Sequence, residues 1–202
     1  MPPRSPRCPA ILVSLNYRLI PRGHVPDCVA DCFAALAWVY RNIAGYGGDP
    51  NRMHVGGHSA GGHLAALLAL DRPRLDAHGI PARAIRSCLP ISAPFTLTKA
   101  ELDPAGYLIR LHPEMFAAEG DAGAVSAYTH ADGNRVPFFI AWGERDVAEL
   151  LPDNERMVGV ARRGAFLEGS YVAPGADHFG AHLACLEPGG AWSRAAARLV
   201  RG

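Results

Sequence analysis

Hydrophobic and polar positions follow two different periods along this chain. Short apolar runs, which are typical of buried strands, alternate with longer stretches in which apolar residues recur every three or four positions, as on one face of a helix. The apolar runs predict strands over residues 11–15, 52–56, 84–91, 136–142 and 170–172. The longer stretches predict helices from Asp27 to about Ile43, over 60–70, from a cap at Asn154 to Arg163 with Gly164 at its end, and over 192–200.

The first predicted helix carries the clearest pattern. Pro26 suits its first turn, where a missing N–H costs nothing, and Gly45 suits its end. Apolar residues spaced by four and by three draw one continuous stripe along it. The stripe consists of Val29, Phe33, Leu36, Tyr40 and Ile43.

The order of the elements indicates the fold class. Strands that alternate with helices are typical of βαβ units and of a mostly parallel sheet. A length of 202 residues suits one domain with a substantial core. The sequence therefore predicts a single α/β domain over residues 1–202. Residues 95–135 break the alternation with prolines and scattered apolar side chains, and predict a small inserted cap.

Composition and charge exclude several classes of function. The 20 basic and 19 acidic residues leave a net charge of +1, without the electrostatic footprint of a protein that binds nucleic acid or an anionic membrane. No apolar run approaches the roughly 20 residues of a membrane helix, and the N-terminus lacks a signal-peptide pattern. We expect a cytoplasmic chain that acts on a small molecule, with neither nucleic acid nor membrane as partner.

The cysteines give no sign of a disulfide framework. Five of them are scattered along the chain, an odd number without regular spacing. Cys28 and Cys32 lie four residues apart on the first predicted helix. We interpret both as small apolar residues in the reduced form.

Residues 57–61, with the sequence Gly57-His58-Ser59-Ala60-Gly61, match the Gly-x-Ser-x-Gly pattern of a nucleophile elbow. In such an elbow a strand turns sharply into a helix and presents a strained serine, and the flanking glycines avoid side-chain clashes. The motif stands in the right context, between a predicted strand and an apolar helix. The N–H of Ala60 and the helix N-terminus would then face negative charge that develops on a reacting carbonyl.

Two partners for Ser59 follow later in the chain. Asp146 comes after the strand over 136–142, at the edge of the sheet where ligands approach in open α/β folds. His178 comes after the last predicted strand. A serine needs a base to take its proton, an imidazole can accept that proton and return it to a leaving group, and a carboxylate fixes the imidazole tautomer. We therefore predict that Ser59, His178 and Asp146 act as nucleophile, general base and orienting acid.

Other carboxylates could take the place of the acid. Asp153, Glu144 and Glu149 also follow Ser59 and precede His178 in the chain. We prefer Asp146 because it lies near the strand while leaving room for a turn. Asp177 adjoins the histidine and is expected to point elsewhere.

Several histidines lie close to these motifs. His182 could replace His178 as the base, but it is expected inside a following helix. His54, His58 and His63 crowd the elbow without the His-Glu-x-x-His spacing of a zinc site. We expect no metal, and interpret His58 as a residue that shapes the elbow.

The segment Gly-His-Ser-Ala-Gly-Gly-His-Leu at 57–64 resembles a known family: the α/β-hydrolase esterases related to hormone-sensitive lipase, acetyl-xylan and feruloyl esterases, and kynurenine formamidase. The similarity runs from about residue 10 to residue 183, and further similar segments lie at 16–19, 47–50, 142–146 and 175–179. The resemblance implies an α/β-hydrolase fold, an oxyanion-hole role for Ala60 and no cofactor. It assigns the triad to Ser59, Asp146 and His178.

One departure from this family is visible. Its members carry a His-Gly-Gly segment before the strand that matches 11–15, and the ten residues upstream contain none. The resemblance implies that this segment completes the oxyanion hole, and that the strand lost with it lies between those matching 11–15 and 52–56. We therefore expect an N-terminally truncated and weakly active hydrolase, in which 11–15 pairs directly with 52–56 or leaves an open edge.

Three functions are consistent with these observations. The leading prediction is a carboxylic ester hydrolase that forms an acyl-enzyme on Ser59 and releases it with water. An arylformamidase, which uses the same triad on a formamide, is the chemical alternative. A non-catalytic binding protein with the same fold is the alternative from a different class, and the missing oxyanion segment favours it.

Overall fold

A computed structural model describes residues 10–97 and 123–202. In these two ranges, four parallel strands form one sheet in the order β1-β2-β3-β4. Parallel neighbours need a long crossover, and helices supply it here. The predicted α/β class with a parallel sheet is therefore confirmed. The strands are β1 (Met53–His58), β2 (Ile85–Ile91), β3 (Phe138–Gly143) and β4 (Leu167–Ala173).

Helices cover both faces of the sheet. The side chains of β3 alternate, so that Phe138, Ile140 and Trp142 join the main core while Ala141 joins a smaller cluster on the opposite face. The first four helices contribute to the main core, and the last two pack on the smaller cluster. The helices are α1 (Val25–Asn42), α2 (Ala60–Leu70), α3 (Arg72–Ala77), α4 (Leu150–Arg163), α5 (His178–Cys185) and α6 (Ala191–Arg201). Short 3-10 turns cover Ile43–Tyr46, Ala82–Ala84 and Ala127–His130.

Helix α1 confirms the predicted apolar stripe. Its buried side chains include Val29, Phe33 and Leu36, and Pro26 lies in the first turn as expected. The end differs from the prediction, because a 3-10 turn extends the helix and Gly47, at φ 83°, takes the left-handed position expected near Gly45. Glycine suits this position because it has no Cβ to clash at positive φ.

The strand predicted over 11–15 is wrong. Residues 10–19 form neither strand nor helix, and β1 is the edge of the sheet within the described ranges. Ile11, Leu12 and Val13 are exposed by 47%, 94% and 40%. An apolar run becomes a strand only when a neighbour pairs with its backbone, and the described residues supply none here. The expected pairing of 11–15 with 52–56 does not occur, and the open edge belongs to β1.

The predicted cap at Asn154 is also wrong, because α4 begins one turn earlier at Leu150. Pro152 lies within the first turn, where its missing N–H breaks no helical hydrogen bond. Asn154 is fully buried, and its Nδ2 donates to the carbonyl oxygens of Ala93 at 3.0 Å and Leu150 at 2.8 Å. It ties α4 to the chain that leaves β2. The expected end at Gly164 is confirmed.

The remaining predicted elements are present with small shifts. Helix 60–70 agrees with α2 at both ends, whereas the strand predicted over 170–172 extends to Leu167–Ala173. The cysteines that the structure describes, Cys28, Cys32, Cys88 and Cys185, are free and buried, as interpreted for the first two. Most of the predicted cap over 95–135 falls on 98–122, outside the described residues, so the cap and the single-domain division stay predictions.

Candidate active site

Each of the four strands is followed by a polar residue near its carboxyl end, on the same side of the sheet. Ser59 follows β1 and Ser92 follows β2 directly, while Asp146 and His178 lie in or after the loops that leave β3 and β4. In a parallel sheet the carboxyl ends of the strands meet at one edge, where ligands bind in open α/β folds. The fold therefore gathers residues that are up to 119 positions apart in sequence.

Ser59 stands at a strained turn between β1 and α2. Its backbone has φ 55° and ψ −123°, a conformation that glycine adopts more readily than any L-residue. Its N–H donates to the carbonyl of Ile91 at 2.9 Å, and its own carbonyl accepts from the N–H of His63 at 3.1 Å. These bonds to β2 and to the first turn of α2 hold the strained conformation in place.

Close backbone packing explains why Gly57 and Gly62 are glycines. It does not explain Gly61, which was expected to avoid a side-chain clash. A Cβ on Gly57 would lie 2.5 Å from the carbonyl group of Gly61, and a Cβ on Gly62 would lie 2.8 Å from the Cβ of Ala93. A Cβ on Gly61 would meet no atom within 4 Å. The flanking glycine that sterics require after the serine is therefore Gly62, whereas Gly61 has room for a side chain.

The side chains of Ser59, His178 and Asp146 form a continuous hydrogen-bonded chain. Nε2 of His178 lies 3.0 Å from Oγ of Ser59, and Nδ1 of His178 lies 2.7 Å from Oδ1 of Asp146. The carboxylate can only accept, so Nδ1 carries the proton and Nε2 is left to accept from the serine hydroxyl. This tautomer is the one that a general base needs.

Asp146 is held as a carboxylate. Its side chain is completely buried. Burial alone would raise its pKa, but hydrogen bonds from Ser92 and His178 and from the backbone N–H groups of Val147 and Gly143 outweigh burial and lower the pKa. The negative charge is therefore retained beside the imidazole at neutral pH.

Ser92 is the residue that sequence reasoning missed. It is fully buried, and its Oγ donates to Oδ2 of Asp146 at 2.5 Å. Its backbone has φ 50° and its N–H donates to the carbonyl of Ala141 at 2.8 Å. The available signal was its position directly after a buried strand, at the edge that carries the other three residues.

Two of the alternative acids, Asp153 and Glu144, make hydrogen bonds away from His178. Asp153 accepts from the N–H of Phe95 at 2.6 Å, and Glu144 accepts from the N–H of Gly175 at 2.6 Å. Glu149 lies at the start of α4. The side chain of Asp177 caps α5 by accepting from the N–H of Gly180.

Close approach of two loops places Asp146 beside His178. A Cβ on Gly143 would lie 2.7 Å from the carbonyl oxygen of Asp177. The N–H of Arg145 donates to the carbonyl of Ala176 at 2.9 Å. Glycine at the end of β3 therefore lets the loop that carries the base pass directly over the loop that carries the acid.

His58 bridges the elbow and the base. A carbonyl can only accept, so Nε2 of His58 donates to the backbone oxygen of His178, at 2.8 Å. The two imidazole rings lie 4.5 Å apart. Burial lowers the pKa of His58, and His178 and His182 lower it further, although the bond to the His178 carbonyl opposes this. The side chain is thus neutral at neutral pH.

The other histidines have separate surroundings. His54 lies 2.8 Å from the hydroxyl of Ser87, and His63 lies 3.0 Å from the carbonyl of Pro94. His182 lies within α5, as expected. Across 10–97 and 123–202 no group of three His, Cys, Asp or Glu side chains is placed to hold a metal ion.

Ala60 provides a donor next to the serine. It is the first residue of α2, so its N–H has no partner within the helix, and it is exposed. The positive end of the helix dipole adds to this donor. The site can therefore bind a carbonyl oxygen at the point where Ser59 would attack the carbonyl carbon.

Comparison with known proteins places the chain in a family. The BD-FAE family matches residues 10–153, more than two thirds of the chain, and this range includes Ser59 and Asp146. The chain belongs to the BD-FAE family. The predicted membership among α/β-hydrolase esterases is confirmed by this match and by the relatives below.

The BD-FAE chain is similar to several curated esterases. It is 32% identical over 151 residues to LipM, a probable carboxylic ester hydrolase of Mycobacterium tuberculosis, covering 70% of this chain and 35% of LipM. It is 35% identical over 144 residues to the esterase LipQ of the same organism, covering 67% of this chain and 34% of LipQ. The chain thus spans about a third of the length of these relatives.

Solved esterase structures have the same fold. The thermophilic esterase Est2 of Thermogutta terrifontis is 27% identical, with a TM-score of 0.62 over 81% of this chain and 59% of Est2. Esterase B of Lactobacillus rhamnosis, at 18% identity, has a TM-score of 0.68 over 92% of this chain and 62% of that protein. The four strands and their helices are therefore part of an α/β-hydrolase fold.

Proposed function

We propose that this protein is a serine hydrolase that cleaves carboxylic esters through an acyl-enzyme on Ser59. The observation that carries the proposal is the hydrogen-bonded chain from the strained Ser59 through His178 to the buried Asp146, at 3.0 and 2.7 Å. Relatives named as ester hydrolases support the same chemistry.

In the first half-reaction Oγ of Ser59 attacks the carbonyl carbon of the ester while Nε2 of His178 takes the hydroxyl proton. The carbonyl oxygen becomes negatively charged and is stabilised by the N–H of Ala60 and the start of α2. His178 then gives the proton to the alcohol oxygen, and the bond between that oxygen and the acyl carbon breaks. The alcohol leaves and the acyl group stays on Ser59.

In the second half-reaction water replaces the serine as nucleophile. His178 takes a proton from water, the hydroxide oxygen bonds to the acyl carbon, and the same proton returns to Oγ as the acid leaves. Asp146 stays a carboxylate throughout and stabilises the imidazolium in both steps. Ser92 and the N–H groups of Gly143 and Val147 hold that carboxylate in place.

The two alternatives are less well supported. None of the named relatives described above is a formamidase, and a non-catalytic binding protein would have no need for a strained serine within 3.0 Å of an oriented imidazole. No helix of the described residues is long and apolar enough to cross a membrane. The proposal also includes a small-molecule ester as the substrate and a cytoplasmic location, and both are inferred from the sequence.

Hydrolysis assays with matched serine variants test the proposal. The chain should hydrolyse p-nitrophenyl butyrate faster than N-formylkynurenine. Ser59→Ala should lower the rate of butyrate hydrolysis at least about a thousandfold. Ser170→Ala, on the exposed part of β4, is the control and should leave the rate unchanged. Undiminished hydrolysis by Ser59→Ala, or preference for the formamide, would contradict the proposal.

A further inference from the structure

One side-chain amide joins the segments that carry Ser92 and Asp146. Nδ2 of Asn154 donates to the carbonyl oxygens of Ala93 at 3.0 Å and Leu150 at 2.8 Å. Ala93 directly follows Ser92, and Leu150, the first residue of α4, comes four residues after Asp146. The amide therefore ties together the two stretches of chain whose side chains meet in the hydrogen bond between Ser92 and Asp146.

A carboxylate beside this amide makes a second tie to the chain that leaves β2. Oδ2 of Asp153 accepts from the N–H groups of Phe95 at 2.6 Å and Thr96 at 3.2 Å. The hydroxyl of Tyr128 donates to Oδ1 of Asp153 at 2.7 Å. Burial raises the pKa of Asp153, although these three hydrogen bonds oppose it. The start of α4 thus holds the backbone at residues 93, 95 and 96.

Ser92 needs such support because its own backbone is strained. Its φ of 50° lies in the left-handed region, which a serine rarely adopts unless the surrounding structure holds it there. From β3, the carbonyl of Ala141 accepts the N–H of Ser92 at 2.8 Å. From α4, Asn154 holds the following residue through the carbonyl of Ala93. The two contacts fix the direction in which the Ser92 hydroxyl meets Asp146.

Core packing by itself does not explain Asn154. Its side chain is fully buried, and among the described residues its Oδ1 has no hydrogen-bond partner. A buried acceptor without a partner destabilises a fold, and leucine would fill nearly the same space without that loss. What the amide contributes is therefore its N–H donor, which sets the position of the chain after Ser92.

We propose that Asn154 and Asp153 are positioning residues for catalysis, which hold Ser92 on the carboxylate of Asp146 and thereby keep His178 oriented toward the nucleophile. The inference rests on the proposed function and adds two residues to its machinery. Asp146 fixes the tautomer and direction of the imidazole only while it stays in place itself. A displacement of about 1 Å in such an arrangement lowers a rate by about a hundredfold.

A double-mutant cycle with Ser92 tests whether Asn154 acts through that residue. Asn154→Leu keeps the side-chain shape and removes the donor, and should lower kcat/KM for p-nitrophenyl butyrate roughly 3- to 10-fold, the effect of one neutral hydrogen bond. In the Ser92→Ala background the same substitution should lower kcat/KM by less than about twofold, because no Ser92 hydroxyl is left to position. An equal fold-change in both backgrounds, or no loss in Asn154→Leu alone, would overturn the inference.

Two variants of Asp153 separate its hydrogen bonds from its charge. Asp153→Asn can still accept from the N–H groups of Phe95 and Thr96 through its amide oxygen, and should stay within about twofold of the wild-type kcat/KM. Asp153→Leu cannot accept, and should lower kcat/KM roughly 3- to 10-fold. Equal rates in the two variants would contradict the role of Asp153.

Val160→Ala is the control for general destabilisation of α4. Val160 lies six residues after Asn154 and packs against the main core. Its truncation should lower the Tm, as the substitutions of Asn154 do. At a temperature where all variants are folded, Val160→Ala should leave kcat/KM unchanged. A loss as large as that of Asn154→Leu would overturn the inference.

A readout without turnover separates this inference from the proposed function. The proton on Nδ1 of His178 lies in the 2.7 Å bond to Asp146, and its NMR resonance reports the geometry of that bond. Ser92→Ala and Asn154→Leu should shift the resonance in the same direction, and the double variant should shift it no further than Ser92→Ala does. If the chain hydrolyses no ester, the proposed function fails, and an unshifted resonance in a folded Asn154→Leu overturns the inference. If Asn154→Leu does not fold, Asp153→Leu takes its place in both measurements.

Discussion

Alanine variants are usually more stable than glycine variants, and the strained backbone at Ser59 predicts the opposite order of stability at this position. At φ 55° and ψ −123° any residue with a Cβ is strained. Such a conformation costs about 1–3 kcal/mol for an L-residue, and glycine avoids most of this cost. Both substitutions remove the hydroxyl, and Ser59 makes no side-chain capping bond to α2 that either variant would lose. Glycine also costs about 0.5–1 kcal/mol because it loses more conformational freedom on folding, so we expect Ser59→Gly to be more stable than Ser59→Ala by about 0.5–2 kcal/mol.

Thermal unfolding of the two variants measures this difference. For a domain of this size, the stated range corresponds to a Tm for Ser59→Gly roughly 1–8 °C above that of Ser59→Ala. Both variants lack the hydroxyl, so both should be inactive, and the comparison isolates the backbone from the chemistry.

Ser170 supplies the matched control for this comparison. It lies in β4 at an exposed position of regular strand. There glycine should be less stable than alanine by about 0.5–1 kcal/mol, because it loses more conformational freedom on folding. If Ser59→Gly is no more stable than Ser59→Ala, or if both sites show the same order, the reasoning about a strained elbow is refuted.

Three further predictions concern the surroundings of the triad. Ser92→Ala removes a hydrogen bond to the Asp146 carboxylate and should lower kcat/KM roughly 10- to 100-fold, since such bonds contribute about 1.5–3 kcal/mol; an unchanged rate would contradict the role of Ser92. His58→Ala should lower kcat about fivefold at constant KM, because one neutral hydrogen bond is lost. His58→Gln can still donate to the His178 carbonyl and should recover most of the lost kcat, so equal rates in the two variants would count against this bond. The pKa of His63 falls from 6.5 to about 4 on folding, so as the pH is lowered the unfolded chain binds a proton before the folded chain does. The free energy of unfolding, measured with urea, should therefore fall by about 3 kcal/mol between pH 6.5 and 4. His63→Asn should flatten that dependence.

Much of the site could be predicted because its signals are local. The elbow glycines, the serine and the apolar helix after it occupy consecutive positions, and sterics require Gly57 in particular. Asp146 and His178 each follow a recognisable strand, and the edge of a parallel sheet gathers such residues whatever their separation in sequence. The chain order of nucleophile, acid and base added a further constraint.

The errors arise where the structure depends on distant partners. The apolar run at 11–15 has the composition of a strand, but a strand also needs a neighbouring backbone. Asn154 has a side chain that suits a cap, yet its amide finds Ala93 and Leu150 in the core. Ser92 is a single serine without a motif, and only the packing of β2 beside β3 shows that it contacts Asp146.

The central claim is that Ser59 is an activated nucleophile, and covalent labelling tests it most directly. The chain is incubated with a fluorophosphonate and digested, and the modified residue is located by mass spectrometry. We predict one modified serine, Ser59, labelled in the wild-type chain and in Ser170→Ala but at least about a thousandfold more slowly in His178→Gln. Absence of the adduct at Ser59, or a labelling rate at Ser59 that does not depend on His178, would contradict it.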